Sequence, residues 1–392
     1  MSVFTSAEFL IPEEALLDKW AVIACDQFTS EPQYWEAVSA LVGGAPSALK
    51  VIFPEAYLGE EERISAINSQ MLAYLHAGFF RVFPDSYVLV ERTLRSGLIR
   101  RGLLGVIDLE AYDYSPKAET PIRATERTVP ERIPPRVKIR EKASLELSHV
   151  LLLCDDAERT LIEDIRKGEQ LYSFDLMMGG GHIAGWLVSG PEARRFEERL
   201  AAYERAMDAR CAPLPPVYYA VGDGNHSLAT AKTCWERDRR ERFAMVELQN
   251  IRDESQQFEP IHRVVKHVDV PALLRAAERV CAPDGYPVPW HAGGASGTLR
   301  LNPALGKLPV GILQRFLDEY GKGETDYIHG EEAAIRLSAA PDTVAFLLPP
   351  IAKASLFPSL AADGVLPRKT FSMGHAEEKR YYLEARRIDG LR

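Results

Sequence analysis

The sequence predicts a mixed α/β fold with mixed sheets, and three of its features lead to this class. Short apolar runs that end in a polar turn and continue as a helix occur twice, at 20–42 and at 217–235. Pairs of strands joined by glycine turns, at 87–109 and 171–189, predict two β-hairpins. The absence of any internal repeat or low-complexity tract in the sequence argues against a solenoid.

Helix signals are strongest in the first third of the chain. Ser30-Glu-Pro-Gln33 is typical of a capping box with proline near the first helical position, and it predicts a helix to about Val42. The stretch 60–77 is amphipathic and is followed by Gly78, which predicts its end. Further helices are predicted at 158–167, 191–210, 271–280, 310–320 and 330–337, and strands at 150–154, 243–250, 260–265, 344–348 and 380–386.

Composition limits the classes of partner. Of the 392 residues, 46% are hydrophobic and 26% are charged, which is ordinary for a soluble globular protein. The net charge of -9 argues against nucleic-acid binding, and no apolar run approaches the ~18 residues of a membrane helix. Five scattered cysteines without a Cys-x-x-Cys pair indicate a reducing cytoplasm and no zinc site. We therefore expect a cytoplasmic protein, with a homo-oligomer left open.

Two stretches define the predicted organisation. The segment 121–142 is basic within an acidic chain and is interrupted by prolines, which predicts a loop and a short helix facing an anion or, alternatively, a solvated surface. The segment 281–297 is rich in glycine and proline, so it predicts a linker or surface loop. We therefore expect a main domain at 1–285 and a smaller C-terminal α/β segment at 286–392 packed on it.

The densest chemistry lies in the turn Gly222-Asp-Gly-Asn-His226, between an apolar strand at 217–221 and a helix that starts at Ser227. Glycines let an anion approach the backbone, and the free amides and dipole of a helix N-terminus favour negative charge. The alternative is a plain strand-to-helix turn. The pattern favours a phosphate site at Gly222, Gly224, Asn225 and Ser227, with Asp223 and His226 as candidate catalytic residues.

This turn resembles the Asp-Gly-His-His-Arg signature of the bacterial and archaeal family known as domain of unknown function 1015. It is also similar to the phosphate-binding turn of the ParB/sulfiredoxin-like fold. Thr125-Glu-Arg-Thr128, Pro260-Ile-His-Arg263 and Leu366-Pro-Arg-Lys-Thr-Phe371 resemble three further motifs of the family, namely His-Glu-Arg-Thr, Pro-Thr-His-Arg and Met-Pro-Gln-Lys-Ser-Thr-Phe-Phe. The chain is thereby identified as a member, and the resemblance implies a ParB/sulfiredoxin-like core.

The resemblance also implies site residues outside the turn. It makes Glu126 a candidate catalytic residue, and it makes Arg127, Thr128, His262, Arg263 and Lys369 candidate ligands of a nucleotide. Asp26, in a polar turn near the N-terminus, becomes a candidate metal ligand. Structural roles remain alternatives, because Asp26 could order its own turn and a buried histidine is often a hydrogen-bonded core group. Asn225 and Ser227 depart from the family signature, which has His and Arg there.

The function that these features favour is a nucleotide-dependent phosphotransferase. The sequence has no His-Glu-x-x-His, Gly-x-Ser-x-Gly or Walker A motif, so it does not support covalent catalysis by serine or cysteine. Amides, basic side chains and carboxylates are the groups that bind Mg²⁺ with ATP or ADP. The acceptor would be a small hydroxylated metabolite, and fold analogy makes free serine the most specific candidate. A regulatory nucleotide-binding module and a phosphatase are the alternatives.

Overall fold

The computed structural model of the chain describes residues 2–147, 149–374 and 376–388. Within these residues the strands are β1 Phe4–Thr5, β2 Ala7–Pro12, β3 Val22–Ile23, β4 Phe80–Thr93, β5 Ile99–Asp108, β6 Tyr112–Asp113, β7 Ile122–Ala124, β8 Leu145–Leu147, β9 Leu151–Cys154, β10 Gln170–Asp175, β11 His182–Val188, β12 Tyr219–Asp223, β13 Phe243–Asn250, β14 Phe258–Lys266, β15 Cys281–Ala292, β16 Ala295–Leu301, β17 Glu324–His329, β18 Val344–Phe346, β19 Phe371–Met373, β20 Tyr381–Tyr382 and β21 Ala385–Arg387.

The helices are distributed along the whole chain. They are α1 Leu17–Trp20, α2 Pro32–Val42, α3 Glu62–Ala77, α4 Ile133–Arg140, α5 Gly190–Cys211, α6 Asn225–Asp238, α7 Val270–Ala277, α8 Pro309–Tyr320, α9 Glu331–Leu337 and α10 Lys353–Asp363. The mixed α/β class with mixed sheets is confirmed. Most of the predicted helices are present, and α3 ends at Gly78 in the left-handed conformation as its sequence predicts. Among the described residues, no helix is both long and apolar enough to cross a membrane.

The larger sheet carries the predicted phosphate turn after β12, the third strand from one end of its strand order. In the described chain its strands run in the order β6-β7-β12-β9-β13-β5-β4-β2-β21-β8, with β1, β10 and β11 attached at the side. β12 is parallel to β7 and antiparallel to β9, whereas β9 is parallel to β13. Its apolar runs are buried on both faces, as strands between covering layers must be. The turn after β12 therefore lies at the edge of a rigid, fully packed sheet.

A second sheet contains the strands that follow residue 257. Its order is β16-β15-β18-β14-β17, with β19 also paired to β14, and all of these pairs are antiparallel. Helices α8 and α10 contribute their apolar faces to its core. After β19 the chain forms a separate two-stranded sheet, in which β20 pairs with β3, and then returns to the first sheet, where β21 pairs with both β2 and β8.

Two local predictions from the sequence were wrong. The stretch 281–297, predicted as a linker, contains β15 and the start of β16, so the predicted boundary at 285 falls inside a paired strand. Its prolines lie in an antiparallel ribbon and its Gly297 lies under the ring of Trp290, where a Cβ would come within 2.7 Å. The predicted helix at 158–167 is irregular, because the Asp156 carboxylate accepts the amides of Glu158, Thr160 and Leu161.

Buried arginines hold the returning C-terminal segment. Arg92 donates to the carbonyls of Glu377, Glu378 and Lys379 at 2.6, 3.0 and 2.5 Å. Burial lowers the pKa of Arg92 to about 10, with a further contribution from the neighbouring Arg100, so its guanidinium stays charged at neutral pH. Arg100 donates to the Glu378 carbonyl as well, at 2.8 Å, so two arginines of neighbouring strands hold the backbone of this segment.

Arg380 forms the second anchor of this segment. Its side chain is 4% exposed and pairs through Nε with Glu247 Oε2 at 2.6 Å and through Nη2 with Glu384 Oε2 at 2.5 Å. Glu247 lies on β13 in the large sheet. The ion pairs therefore connect the end of the chain to the middle of the sheet.

We predict that Arg380→Met destabilises the protein by about 3–5 kcal/mol, because it leaves two buried carboxylates without their cation. Urea unfolding at neutral pH measures this loss. The matched control is Arg387→Met, whose pair with Glu8 is 3.5 Å long and exposed on both sides, so that its loss should be about 0–1 kcal/mol. Equal losses for the two variants would contradict the assigned role of Arg380.

Candidate functional site

The turn between β12 and α6 is built around a left-handed glycine. Gly224 has φ of 82°, and a Cβ at this position would lie 3.1 Å from the Cα of Val150 on the neighbouring segment. A side chain here is disfavoured both by backbone conformation and by this contact. The fold itself therefore requires Gly224, whether or not an anion binds. Gly222 is also packed, since its Cβ would come within 2.9 Å of Leu153.

The first turn of α6 presents free backbone donors. The amide of Gly224 binds Asp223 Oδ1 at 2.9 Å, and the amide of Leu228 binds the Gly224 carbonyl at 3.0 Å. In the part of the chain that the structure describes, nothing pairs with the amides of Asn225, His226 and Ser227. Because α6 has 14 residues, its dipole adds positive potential at this end. The three amides form a site suited to an anion.

Asp223 is paired rather than free. Its Oδ2 lies 3.1 Å from Lys379 Nζ, on the C-terminal segment that Arg92 holds. Burial acts to raise the pKa of Asp223, but the charge and hydrogen bond of Lys379 outweigh it and hold this pKa below its usual range. The carboxyl is therefore an anion at neutral pH and a weak proton acceptor.

His226 is held in a neutral form by its surroundings. Its Nε2 accepts the amide of Val129 at 3.2 Å, so any ring proton lies on Nδ1. Burial lowers the pKa of His226 to about 4, and the nearby charges of Arg136 and Arg132 contribute in the same direction. Arg132 immediately precedes α4 and Arg136 lies within it. Ile133 and Val137 of α4 pack against Ala229 of α6. The basic segment predicted at 121–142 thus does place positive charge beside the turn.

Glu126 organises the loop at 366–371. Its two carboxylate oxygens accept the amides of Lys369 at 3.0 Å and Thr370 at 2.9 Å, while the backbone of Leu366 pairs with Thr125 and Arg127. Burial raises the pKa of Glu126, and the two amides oppose this change. Both oxygens are thus occupied by the backbone, which makes Glu126 a positioning residue rather than the catalytic residue predicted from the sequence.

The other residues of these two segments differ in exposure. The side chains of Arg127 and Lys369 are exposed and have no ion-pair partner among the described residues. Thr128 Oγ1 is buried and makes no hydrogen bond within the described chain. Lys369 has φ of 56°, a left-handed backbone conformation that is rare for lysine. The hydrogen bond from its backbone amide to the Glu126 carboxylate stabilises this conformation. These residues remain candidates for contact with a ligand.

The prediction that His262 and Arg263 bind a nucleotide does not fit their contacts. His262 Nδ1 accepts the amide of Leu348 at 3.1 Å inside the second sheet. Arg263 is fully buried and donates to Gln314 Oε1, to the carbonyl of Ile261 and to the carbonyl of Lys369 at 2.9, 2.7 and 2.8 Å. The guanidinium of Arg263 donates its hydrogen bonds to protein groups and holds the loop that carries Lys369. It therefore has no pair of free N–H groups with which to bind a phosphate.

Two groups that the sequence did not indicate also lie at the turn. Lys379 reaches Asp223, and His149 Nε2 lies 2.7 Å from Ser227 Oγ. Burial lowers the pKa of His149, and the charges of Asp26 and Asp223 oppose that change. Neither residue stands in a recognisable motif, so only the three-dimensional arrangement identifies them.

A cavity of about 150 Å³ lies beside this first turn of α6. Ser227, Thr230 and His149 line it together with Cys25 and Tyr382. The Tyr382 hydroxyl donates to Cys25 Sγ at 3.0 Å, and burial raises the pKa of Cys25 to about 11, so this thiol is not a nucleophile at neutral pH. Asp26, the candidate metal ligand, directly follows the cavity-lining Cys25 in the sequence.

The protein family described as "Protein of unknown function (DUF1015)" matches residues 10–388. The chain belongs to this family. The four motifs of DUF1015 that the sequence resembles are thus parts of one continuous match. Three of them meet in the structure at the loop 366–371, through Glu126 and Arg263. The fourth is the turn at the start of α6.

Several solved structures are similar to this DUF1015 chain at low identity. SbnI with a C-terminal truncation, from Staphylococcus aureus, is 12% identical with a TM-score of 0.38, over 69% of this chain and 82% of that one. A mutant free serine kinase in complex with ADP is 12% identical with a TM-score of 0.40, over 73% and 93%. A conserved hypothetical protein from Pyrococcus furiosus is 11% identical with a TM-score of 0.37, over 73% and 96%. No curated protein matches the chain significantly.

A pH-dependent loss of stability should follow from His226. Its pKa in the folded state, about 4, lies below the value of about 6.5 for an unfolded histidine, so the unfolded state binds the proton more readily. The stabilising contribution is complete above about pH 6.5 and is lost as the pH falls towards 4. Urea unfolding between pH 7 and pH 4 should give a shallower loss for His226→Gln than for the parent. Identical pH profiles would contradict this assignment.

Proposed function

We propose that this DUF1015 protein is a nucleotide-dependent phosphotransferase that acts on a small hydroxylated metabolite. The observation that carries the proposal is the set of free amides at Asn225, His226 and Ser227, at the positive end of α6. A terminal phosphate of ATP or ADP matches both the charge and the donor pattern of this site. Thr128 Oγ1 is buried without a partner in the described chain, and the next residue, Val129, donates its amide to His226 of the turn, so Thr128 would supply a further hydroxyl donor.

Basic side chains around the turn support binding of a polyphosphate. Arg132 and Arg136 lie close enough to depress the pKa of His226, and the exposed Arg127 and Lys369 extend the positive surface. Lys379 neutralises Asp223, so this carboxylate does not repel a phosphate on the adjacent amides as a free one would. The net effect is an anion site in a protein that is acidic overall.

Magnesium would be held mainly through the nucleotide. Among the described residues, no group of three or more His, Cys, Asp or Glu side chains could hold a metal ion. Mg²⁺ commonly uses one or two carboxylates together with phosphate oxygens and water, and Asp26, next in sequence to the cavity-lining Cys25, would supply the carboxylate. Bound Mg²⁺ would neutralise charge on the transferring phosphoryl group.

The first test replaces Asn225 by aspartate, which keeps the shape and adds a negative charge beside the amides. We expect nucleotide affinity to fall roughly tenfold or more through charge repulsion. Because Asn225 Oδ1 is buried without a partner in the described chain, the variant must also be checked for loss of stability. Titration calorimetry with ATP and ADP, with and without Mg²⁺, measures the affinity, and thermal unfolding measures the stability.

The matched control is Asn302→Asp. Asn302 stands at the start of a different helical turn, where its side chain accepts the amide of Ala304, and this turn follows β16 of the second sheet. Its replacement should leave nucleotide affinity unchanged. If Asn225→Asp binds ATP and ADP as the parent does, the phosphate does not lie on the α6 amides.

The alternative function is a regulatory module that binds a nucleotide without turning it over. Asp223→Asn separates the two, since it removes the charge and keeps the size. For an enzyme we expect turnover to fall far more than nucleotide affinity, measured as ADP or AMP release with a panel of hydroxy compounds that includes L-serine. Asp238→Asn, at the opposite end of α6, is the control. Nucleotide binding without turnover for any acceptor, and an Asp223→Asn variant altered only in affinity, would favour the module.

A further inference from the structure

The cavity beside α6 has a predominantly apolar wall. Its volume is about 150 Å³. The apolar lining residues are Val51, Ile52, Phe53, Leu58, Met71, Ile139, Ala143, Leu145 and Leu147. An apolar protein cavity of roughly this volume accommodates a group the size of benzene. Because Ser227 lines it and also contributes a free amide to the anion site, the cavity adjoins the place proposed for the phosphate.

Charged groups in the lining are already neutralised. Arg140 Nη2 lies 2.7 Å from Glu146 Oε1, and Arg136 contacts the carboxylate of Glu55. Within the described lining there is therefore no unpaired cation to meet the carboxylate of an amino acid. The uncharged polar groups are two pairs, Ser227 with His149 and Cys25 with Tyr382, and Thr230, whose hydroxyl donates to the carbonyl of His226.

We propose that this cavity binds the acceptor, and that the acceptor is a small apolar compound with a single hydroxyl group directed at the Ser227–His149 pair. This inference rests on the proposed phosphotransfer. The apolar body would fill the space between α3, α4 and α6, where the burial of its surface provides the affinity. A zwitterion such as L-serine would bury an unpaired carboxylate and an ammonium group there, which is unfavourable.

The same pair provides a route for the acceptor proton. As the acceptor oxygen forms its bond to the terminal phosphorus, the bond from that phosphorus to the ADP oxygen breaks and ADP leaves with its electrons. The acceptor proton passes to Ser227 Oγ, which gives its own proton to His149 Nε2 across the 2.7 Å contact. His149 then returns the proton to solvent.

The nucleobase is the competing occupant of the cavity. A base carries several donors and acceptors on its edges, and an aliphatic wall would leave most of them buried without partners. The cavity also offers a hydroxyl–imidazole pair, which suits one hydroxyl better than a ring edge. These arguments favour the acceptor over the base.

The experiment varies the cavity volume against a graded series of alcohols. Ala143→Leu reduces the space and Ile139→Ala enlarges it, and the probes are ethanol, butan-1-ol, benzyl alcohol and L-serine. We measure ADP release with each alcohol, ATP binding by calorimetry, and alcohol binding without nucleotide by saturation-transfer NMR. The control is Ala202→Leu, an exposed position on α5.

We expect butan-1-ol and benzyl alcohol to support turnover better than L-serine. Ala143→Leu should raise the KM for benzyl alcohol at least tenfold and leave the affinity for ATP within twofold of the parent. Ile139→Ala should shift the substrate preference towards the larger alcohol. His149→Gln should lower kcat at least a hundredfold with little change in KM, because glutamine keeps a hydrogen bond to Ser227 and cannot take the proton. A loss of stability alone would not produce these opposite shifts.

Failure of this inference and failure of the proposed function give different results. Turnover of L-serine that Ala143→Leu does not affect would overturn the inference while phosphotransfer stands. Loss of ATP binding in Ala143→Leu would overturn it in favour of a nucleobase site. If the parent binds no nucleotide, the phosphotransfer proposal fails. Benzyl alcohol binding that Ala143→Leu alone abolishes would then still support the cavity as a site for apolar alcohols.

Discussion

The buried pairing of Arg380 with Glu247 and Glu384 is the interaction on which the candidate site depends. It attaches the returning C-terminal segment to the central strand β13, at a point where the side chain is 4% exposed. Lys379 and Tyr382 stand next to this anchor in sequence, so their positions at Asp223 and in the cavity follow from it. Breaking the pair would leave uncompensated charge in the interior, which is unfavourable. The segment therefore follows the single path in which the pair is formed. Arg92 extends the same constraint through the backbone carbonyls.

The motifs shared with the family act on one another as well as on a ligand. Glu126 accepts the amides of Lys369 and Thr370, and Arg263 donates to the carbonyl of Lys369. The Glu126 carboxylate thus accepts two backbone amides of this loop, and the Arg263 guanidinium donates to one of its carbonyls. The arrangement holds Lys369 in a left-handed conformation with its ammonium group exposed. Both buried charges serve to position this one exposed cation.

Elements with a local sequence signal are predicted well. Predictions fail where contacts between residues distant in sequence determine the structure. The turn, the end of α3 at Gly78 and the length of α5 follow from glycines, proline and periodicity. The stretch 158–167 has helical composition, but the Asp156 side chain takes its first amides and the helix does not form. The roles of His149 and Lys379 could not be predicted, because they depend on which strands are neighbours in the large sheet. Motif matching named Glu126 and Arg263 as candidate site residues but could not distinguish support of a loop from contact with a ligand.

The proton chemistry at the turn can be divided among its groups by what each already binds. Asp223 is paired with Lys379, so accepting a proton would require breaking a partly buried ion pair. His226 Nε2 is occupied by the Val129 amide, which cannot give up its proton, so this ring can only donate through Nδ1. His149 Nε2 is occupied by the Ser227 hydroxyl, and a hydroxyl can pass on one proton while accepting another. Of the three groups, His149 is therefore the one whose present partner allows it to act as a base without disrupting the turn.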